Sequence, residues 1–170
     1  VTGVQTCALP IFKRIELAGG KHYPVDTWKP LLEPLTKRTI QVSELVAAAK
    51  AITQRYQDDG YFISFAYVPN QDFRNGVARI VLVEGHITQV RSAGDLGVHQ
   101  MRVDRWIEKL KAEKPLTRES FERFSVLMSR VPGMQMAMAL NPPTTNDGGA
   151  VLELAGKQKR FDTGMNLDSR

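Results

Sequence analysis

Residues 77–91 have the sequence VARIVLVEGHITQVR, and this stretch decides how the rest of the chain is divided. Its first half alternates as a strand does, with Ala78, Ile80 and Leu82 on one face. Glu84 and Gly85 follow, and the chain then passes directly into a second apolar segment without a Gly, Ser or Pro-rich linker. The stretch therefore predicts two strands joined by two residues, and so short a join limits the angles between the domains that contain them.

The segments on both sides of this join follow the same plan. Ala18-Gly19 closes a short apolar segment and recurs 75 residues later as Ala93-Gly94. Each copy then carries two helical regions and two alternating segments separated by turn residues. The pattern predicts an α+β fold of two tandem β-α-α-β-β domains, each a three-stranded mixed sheet with two helices on one face. We place the first domain at residues 12–85 and the second at residues 86–156.

Three helical regions show apolar stripes bounded by start and stop signals. In the first copy, Ser43 is predicted to cap the longer helix and Gly60 to end it. In the second copy a weaker stripe covers residues 98–111, and Thr117 is predicted to cap the last helix, which Pro132 and Gly133 end. The stripes consist of Leu45, Ala49, Ile52 and Tyr56; of Met101, Arg105, Trp106 and Leu110; and of Phe121, Phe124, Leu127 and Met128.

Two alternating segments, residues 61–68 and 134–140, are predicted to be outermost strands of their sheets. Val77–Val83 is more continuously apolar, which favours a central position with neighbours on both sides. An outermost strand leaves backbone groups unpaired, and an extended segment of a partner can bind there by adding a strand. The residues proposed for this contact are Tyr61, Ile63, Ser64, Phe65, Tyr67, Met134, Met136 and Met138. The methionine side chains can adapt to a partner or instead fill the core, and the pattern leaves both roles open.

A polar loop before residue 77 carries Gln71, Asp72 and the pair Asn75-Gly76. Asn-Gly suits a tight turn because both residues accept positive φ angles. Gln71 and Asp72 can hydrogen-bond the loop's own backbone, or they can contact a partner or the neighbouring domain. The sequence also leaves the role of Glu84 open, since its carboxylate can bind backbone groups or a neighbouring lysine.

Composition and spacing argue against several classes of function. The 23 Lys+Arg and 18 Asp+Glu give a net charge of +5. Basic residues are interleaved with acidic ones, so a nucleic-acid-binding module is only a weaker alternative. His22, His86 and His99 lie in different segments without metal-ligand spacing, and one cysteine cannot form an internal disulfide or a Cys-based zinc site. We expect no catalytic residue, no metal site, no cofactor and no enzyme activity.

The polar loop and the join together carry a family pattern. Residues 68–76 have the sequence VPNQDFRNG, and residues 80–85 have the sequence IVLVEG. This combination resembles the POTRA domain of outer-membrane transporters in two-partner secretion, the haemolysin secretion and activation family, also called TpsB. The second copy is similar in LMSRVPG, residues 127–133, and ALNP, residues 139–142. The motif residues in loops and turns are Pro69, Gln71, Asp72, Asn75, Gly76, Glu84, Gly85, Pro132 and Gly133.

The resemblance implies a module on the periplasmic side of the outer membrane in a Gram-negative bacterium. Such a module receives the N-terminal secretion domain of an unfolded, secreted exoprotein, which then crosses the membrane through the C-terminal β-barrel of the same transporter. No nucleic acid, nucleotide, metal or catalytic residue takes part. A POTRA module of another outer-membrane machine, such as a barrel-insertion factor, is the alternative function.

The two ends of the chain are interpreted separately. Residues 1–11 show neither helical nor strand periodicity and resemble a translated sequencing adaptor, so we interpret them as a non-native leader that contains the one cysteine, Cys7. Residues 157–170 resemble the entry to a transporter's first barrel strand, because residues 163–168 alternate as a lipid-facing strand does. We therefore expect the chain to stop before that β-barrel.

Overall fold

The computed structural model describes residues 12–36, 38–73 and 75–158, which form two β-α-α-β-β domains in succession. The first domain contains strand β1, a short helix α1 between two 3-10 turns, a long helix α2, and strands β2 and β3. Their bounds are β1 Arg14–Gly19, the turn Val25–Trp28, α1 Lys29–Leu32, the turn Glu33–Leu35, α2 Val42–Asp58, β2 Phe65–Tyr67 and β3 Val77–Val83. The second domain contains β4 His86–Ala93, the 3-10 turn Gly97–His99, α3 Gln100–Ala112, α4 Arg118–Ser129, β5 Met134–Asn141 and β6 Gly149–Gln158.

Both sheets have the same strand order. The orders are β1-β3-β2 and β4-β6-β5, so the last strand of each unit lies in the middle. The central strand pairs in parallel with the first strand and antiparallel with the second, which makes each sheet mixed. The predicted fold class is confirmed, and so is the outermost position of β2 and β5.

Each sheet buries one face under its helices. In the first domain, Ile80 and Leu82 of β3 belong to one buried cluster with Leu45, Ile52 and Tyr56 of α2. The second domain repeats this arrangement with the buried residues Leu152, Leu154, Val103, Leu110, Phe124 and Met128. The alternation in β3 is therefore the alternation between core and opposite face that the sequence predicts.

Some helix predictions differ from the structure. Ser43 lies in the first turn of α2 and is not its cap, because the helix begins after Gln41, whose N–H donates to the Glu44 carboxylate at 2.9 Å. Thr117 is the N-cap of α4 as predicted, and its hydroxyl oxygen accepts from the Ser120 N–H at 3.3 Å. Met101 is 77% exposed. The helix α3 begins at Gln100, after the 3-10 turn, and it buries Leu110, as the stripe predicts, together with Val103 and Ile107.

The strand predicted for residues 61–68 was wrong in its extent. Only Phe65–Tyr67 form β2, and residues 61–64 make turns in which the Ser64 N–H donates to the Tyr61 carbonyl. These residues look like a strand in the sequence because Tyr61 and Ile63 continue the alternation of Phe65 and Tyr67. In the structure, their apolar side chains are shared between the two domains.

The predictions for the two chain ends lie largely outside the described residues. The leader at residues 1–11 and the barrel entry beyond residue 158 are in the parts that are not described. Strand β6 reaches Gln158, two residues past the end predicted for the second domain. None of the helices within the described residues is long and apolar enough to cross a bilayer.

Candidate functional site: two sheet edges and the joint between the domains

Strand β5 forms a long outer edge of the second sheet. Its eight residues pair with β6 from Met134 to Asn141. In an antiparallel pair, every second residue turns its N–H and C=O away from the neighbouring strand. Among the described residues, no hydrogen bond reaches the backbone of residues 135–141 from outside the sheet. This edge therefore offers backbone donors and acceptors to an added strand.

The methionine side chains of β5 point to the core. Met134 is buried, and Met136 and Met138 are half-buried against the same cluster under α3 and α4. Gln135, Ala137 and Ala139 alternate with them and are exposed. Of the two roles left open by the sequence, core packing is the one the structure shows for these side chains. The possible contact with a partner then rests on the β5 backbone.

The edge of β2 is covered by a side chain from α2. The Ala66 N–H donates to the Thr53 hydroxyl oxygen at 2.8 Å, so this N–H points away from β3. The Thr53 hydroxyl lies 3.2 Å from the Ala66 carbonyl oxygen and 3.0 Å from that of Ala49, and its single proton serves one of them at a time. Because β2 has only three residues, this one side chain occupies most of its outer edge.

We expect Thr53→Val to lower the free energy of unfolding by about 1–3 kcal/mol, because the Ala66 amide and carbonyl would lose their partner under α2. Urea denaturation measures this loss, and amide hydrogen exchange at Ala66 locates it. Thr53→Ser keeps the hydroxyl and is the matched control. A Thr53→Val protein as stable as Thr53→Ser would show that the hydroxyl does not protect this edge.

Phe65 and Tyr67 lie on the face of the first sheet opposite to Ala66. Their ring centroids are 6.1 Å apart. The Tyr67 hydroxyl donates to the Asn146 side-chain oxygen at 2.5 Å, in the loop between β5 and β6. Tyr67 therefore contacts the second domain.

Tyr61, Ile63 and Ser64 lie at the joint between the domains and not in an edge strand. Ile63 is 8% exposed and belongs to the core of the second domain. Ser64 is 1% exposed, and its hydroxyl oxygen accepts from the Gly85 N–H at 3.0 Å. Tyr61 packs beside the Tyr56 ring, with the centroids 6.2 Å apart. The strand placement of these three residues was wrong, because burial at the joint produces an apolar pattern similar to that of a strand.

The Gln71 side chain hydrogen-bonds the part of β3 that has no neighbouring strand on that side. The Arg79 N–H donates to the Gln71 side-chain oxygen at 2.8 Å, and the Gln71 amide donates to the Arg79 carbonyl at 2.8 Å. Strand β2 pairs only with residues Val81, Leu82 and Val83, so the first half of β3 has no strand on that side. Of the two roles left open for Gln71, the backbone contact is present, and it reaches across the loop to β3.

The other motif residues take turn positions. Gly76 has a φ angle of 68° and accepts from the Lys13 N–H at 2.7 Å, which ties the loop to the start of β1. Pro69 is half-buried, and Asp72 and Asn75 are exposed. Pro132 and Gly133 are exposed in the turn between α4 and β5. A partner contact at these positions stays a prediction.

The Glu84 carboxylate accepts hydrogen bonds from three donors of the first domain. One of its oxygens accepts from the Lys21 N–H at 2.8 Å, the His22 N–H at 2.7 Å and the Tyr56 hydroxyl at 3.0 Å. Burial and the neighbouring Glu84 charge raise the pKa of Tyr56 well above its usual value, so Tyr56 stays a neutral donor. Glu84 therefore binds backbone groups, one of the two options for it, and anchors the loop after β1 to the end of β3.

A second carboxylate, that of Asp59, also binds a tyrosine hydroxyl. The Tyr23 hydroxyl donates to Asp59, and burial together with this carboxylate raises the pKa of Tyr23 to about 12. The same hydrogen bond, with the Arg55 guanidinium 2.9 Å away, lowers the pKa of Asp59. Within the described residues, no cluster of three or more His, Cys, Asp or Glu side chains is placed to hold a metal ion.

Comparison with known proteins identifies the unit. Residues 11–85 match the family model of the POTRA domain, ShlB-type. The first domain is a ShlB-type POTRA domain. The second domain has the same strand order and helix arrangement, so the chain has the fold of two tandem POTRA domains. The resemblance to transporters of two-partner secretion is confirmed.

Two curated relatives and one solved structure are similar to the POTRA pair. The heme/hemopexin transporter protein HuxB of Haemophilus influenzae (strain ATCC 51907 / DSM 11121 / KW20 / Rd) is 21% identical over 150 residues, 85% of this chain and 26% of HuxB. The outer membrane transporter CdiB of Escherichia coli O6:K15:H31 (strain 536 / UPEC) is 30% identical over 81 residues, 48% of this chain and 14% of CdiB. The structure of CdiB from Escherichia coli superimposes with a TM-score of 0.69 at 22% identity, covering 94% of this chain and 30% of that chain. The chain thus spans about a quarter of the HuxB length, and these relatives are transporters.

Proposed function

We propose that these POTRA domains are the periplasmic substrate-recognition module of an outer-membrane transporter for two-partner secretion. In this proposal the module receives the N-terminal secretion domain of an unfolded exoprotein, and the transporter's own C-terminal β-barrel carries the exoprotein across the outer membrane. The transporter names of HuxB and CdiB and the ShlB-type match support this class of protein. The observation that carries the recognition role is the uncovered β5 edge.

A free antiparallel edge suits an unfolded cargo for a physical reason. Main-chain hydrogen bonds supply the binding energy, and every residue except proline can both donate and accept them. Such a site makes few demands on the sequence of the cargo. A secreted protein that arrives extended can therefore bind before it has any folded surface to be recognised.

The two outer edges are unequal in this respect. Strand β5 has eight residues, whereas β2 has three and its outward Ala66 is already bonded to Thr53. An added strand at β2 would have to displace the Thr53 hydroxyl and gain few new bonds in return. We therefore assign cargo binding to β5 and not to the Tyr61–Tyr67 region.

Met138 is the best position for a test. It lies opposite Leu154 on β6, as Ala66 lies opposite Leu82 on β3, and the Ala66 N–H points outward. Met138→Pro therefore removes an outward donor without breaking a bond to β6. We expect it to weaken binding of a cognate secretion domain at least several-fold in isothermal titration calorimetry, because strand addition depends on such donors.

The control variant is Met138→Ala, which shortens the side chain but keeps the N–H. Binding close to that of the parent in this variant, with weak binding in Met138→Pro, would establish the backbone mechanism. Equal losses in both would assign the contact to the side chain. Parent-like affinity in a Met138→Pro protein that is folded by circular dichroism would eliminate the β5 edge as the cargo site.

A further inference from the structure

We propose that the two POTRA domains form one rigid unit, locked at the Glu84–Gly85 joint and at the corner, by which we mean residues 60–64. This goes beyond cargo recognition, because it concerns how the domains are held and not what they bind. Three separate sets of contacts between the domains carry the proposal.

The corner of the first domain completes the core of the second. Ile63 is 8% exposed and packs in the cluster that contains Leu116 and Phe124. Phe62 lies beside Phe121 of α4, with the ring centroids 5.7 Å apart, and the Arg118 guanidinium lies 5.8 Å from the centre of the Phe62 ring. Separating the domains would expose both corner side chains to water, so burial of apolar surface opposes the separation.

The polar groups of the Glu84–Gly85 joint are divided between the domains. On the first domain's side, the Glu84 carboxylate binds Lys21, His22 and Tyr56, and the Gly85 N–H donates to Ser64. On the second domain's side, the Gly85 carbonyl accepts from the Leu116 N–H at 2.8 Å. A hinge needs backbone groups that are free to reorient, and here rotation would break bonds on both sides.

Close packing around the Glu84–Gly85 joint leaves no space for one domain to rotate against the other. A Cβ on Gly85 would lie 2.5 Å from the Ile63 carbonyl oxygen, and a Cβ on Gly148 would lie 2.1 Å from the Glu84 carbonyl oxygen. The backbone of α4 is tied to the corner as well, since the Arg118 N–H donates to the Gly60 carbonyl at 2.8 Å. Tyr67 and Asn146 add a contact at the loop between β5 and β6. The domains are therefore held at the corner, at the joint and at this loop.

The test is a distance measurement between spin labels on the full chain by pulsed electron paramagnetic resonance. Cys7→Ser removes the native thiol, and cysteines at the exposed positions Lys50 on α2 and Lys109 on α3 report the distance between the domains. A second pair of labels is placed at Lys109 and Gln135, both exposed in the second domain. The width of its distance distribution is the width expected within one rigid body. We expect the distance distribution between the domains to be as narrow as this internal reference. A distribution clearly broader than the reference would overturn the proposal.

Phe62→Ala then tests the corner. We expect it to broaden the Lys50–Lys109 distribution while both domains stay folded by circular dichroism. Phe73→Ala is the control, because Phe73 is also half-buried but packs on the first core, against Phe12. A distribution that stays narrow in Phe62→Ala would refute the locking role of the corner. If Phe62→Ala does not fold, the width in the parent still decides between one rigid unit and two mobile domains. Neither outcome depends on cargo binding, so this proposal and the proposed function can fail separately.

Discussion

Replacing Ile80 with alanine is expected to lower the free energy of unfolding by about 2–4 kcal/mol, the range found when a fully buried aliphatic side chain is truncated in a small domain. Ile80 is 0% exposed and lies on β3, the central strand of the first sheet. Leu45, Ile52 and Tyr56 of α2 share its cluster and cannot follow the shortened side chain inward without moving the helix. The change therefore leaves a cavity as well as a loss of buried surface.

Val81→Ala is the matched control for this prediction. Val81 is the next residue of the same strand, is only half-buried and faces away from α2, so its truncation should cost much less. Urea denaturation followed by circular dichroism compares the two variants. If Val81→Ala proves as costly as Ile80→Ala, the two faces of β3 are not as unequal as the structure shows, and a one-residue shift in register has to be considered.

Gly94→Ala is expected to destabilise the second domain strongly. A left-handed backbone conformation costs a residue with a Cβ about 1–2 kcal/mol, and the expected loss is larger than this. Gly94 follows β4 with a φ angle of 97°, and a Cβ there would lie 2.0 Å from the carbonyl oxygen of Gly156 on β6. Backbone, unlike the end of a flexible side chain, cannot move aside cheaply. The first domain repeats this arrangement, since a Cβ on Gly19 would lie 2.3 Å from the Leu82 carbonyl oxygen.

Gly133→Ala separates the two contributions. Gly133 also has a positive φ angle, 70°, but a Cβ there would meet nothing within 4 Å. Its substitution therefore carries the backbone cost alone, and the excess cost in Gly94→Ala measures the clash with β6. Thermal unfolding of both variants provides the comparison. Equal melting temperatures would mean that the end of β4 can move away from Gly156, contrary to the close approach described here.

The fold class and the strand order could be predicted from the sequence. Alternating apolar residues on β3 and β6 follow from a sheet with one face under helices, because a shift of one residue in register would expose the whole core face. The Ala-Gly pairs at residues 18–19 and 93–94 marked the two repeats, and the close approach to the central strand explains why glycine stands there. The motif residues from Pro69 to Gly85 indicated the POTRA family, which the comparison confirms.

Which edge is open and how the domains meet could be seen only in the folded structure. Thr53 carried no signal of its role, because its partner Ala66 is 13 residues away and is placed beside it only when α2 packs on the sheet. Gln71 and Glu84 were open between two roles for the same reason, since their backbone partners come from other parts of the fold.

Residues 61–64 show most clearly how the prediction from periodicity differs from the folded structure. Their apolar character predicted a strand, because periodicity records that a side chain is buried but not what buries it. In the structure, Ile63 is buried in the core of the second domain, Phe62 is half-buried against Phe121, and the Ser64 hydroxyl accepts a hydrogen bond from the Gly85 N–H. Local periodicity follows from the geometry of one element, whereas these contacts depend on where the two domains meet.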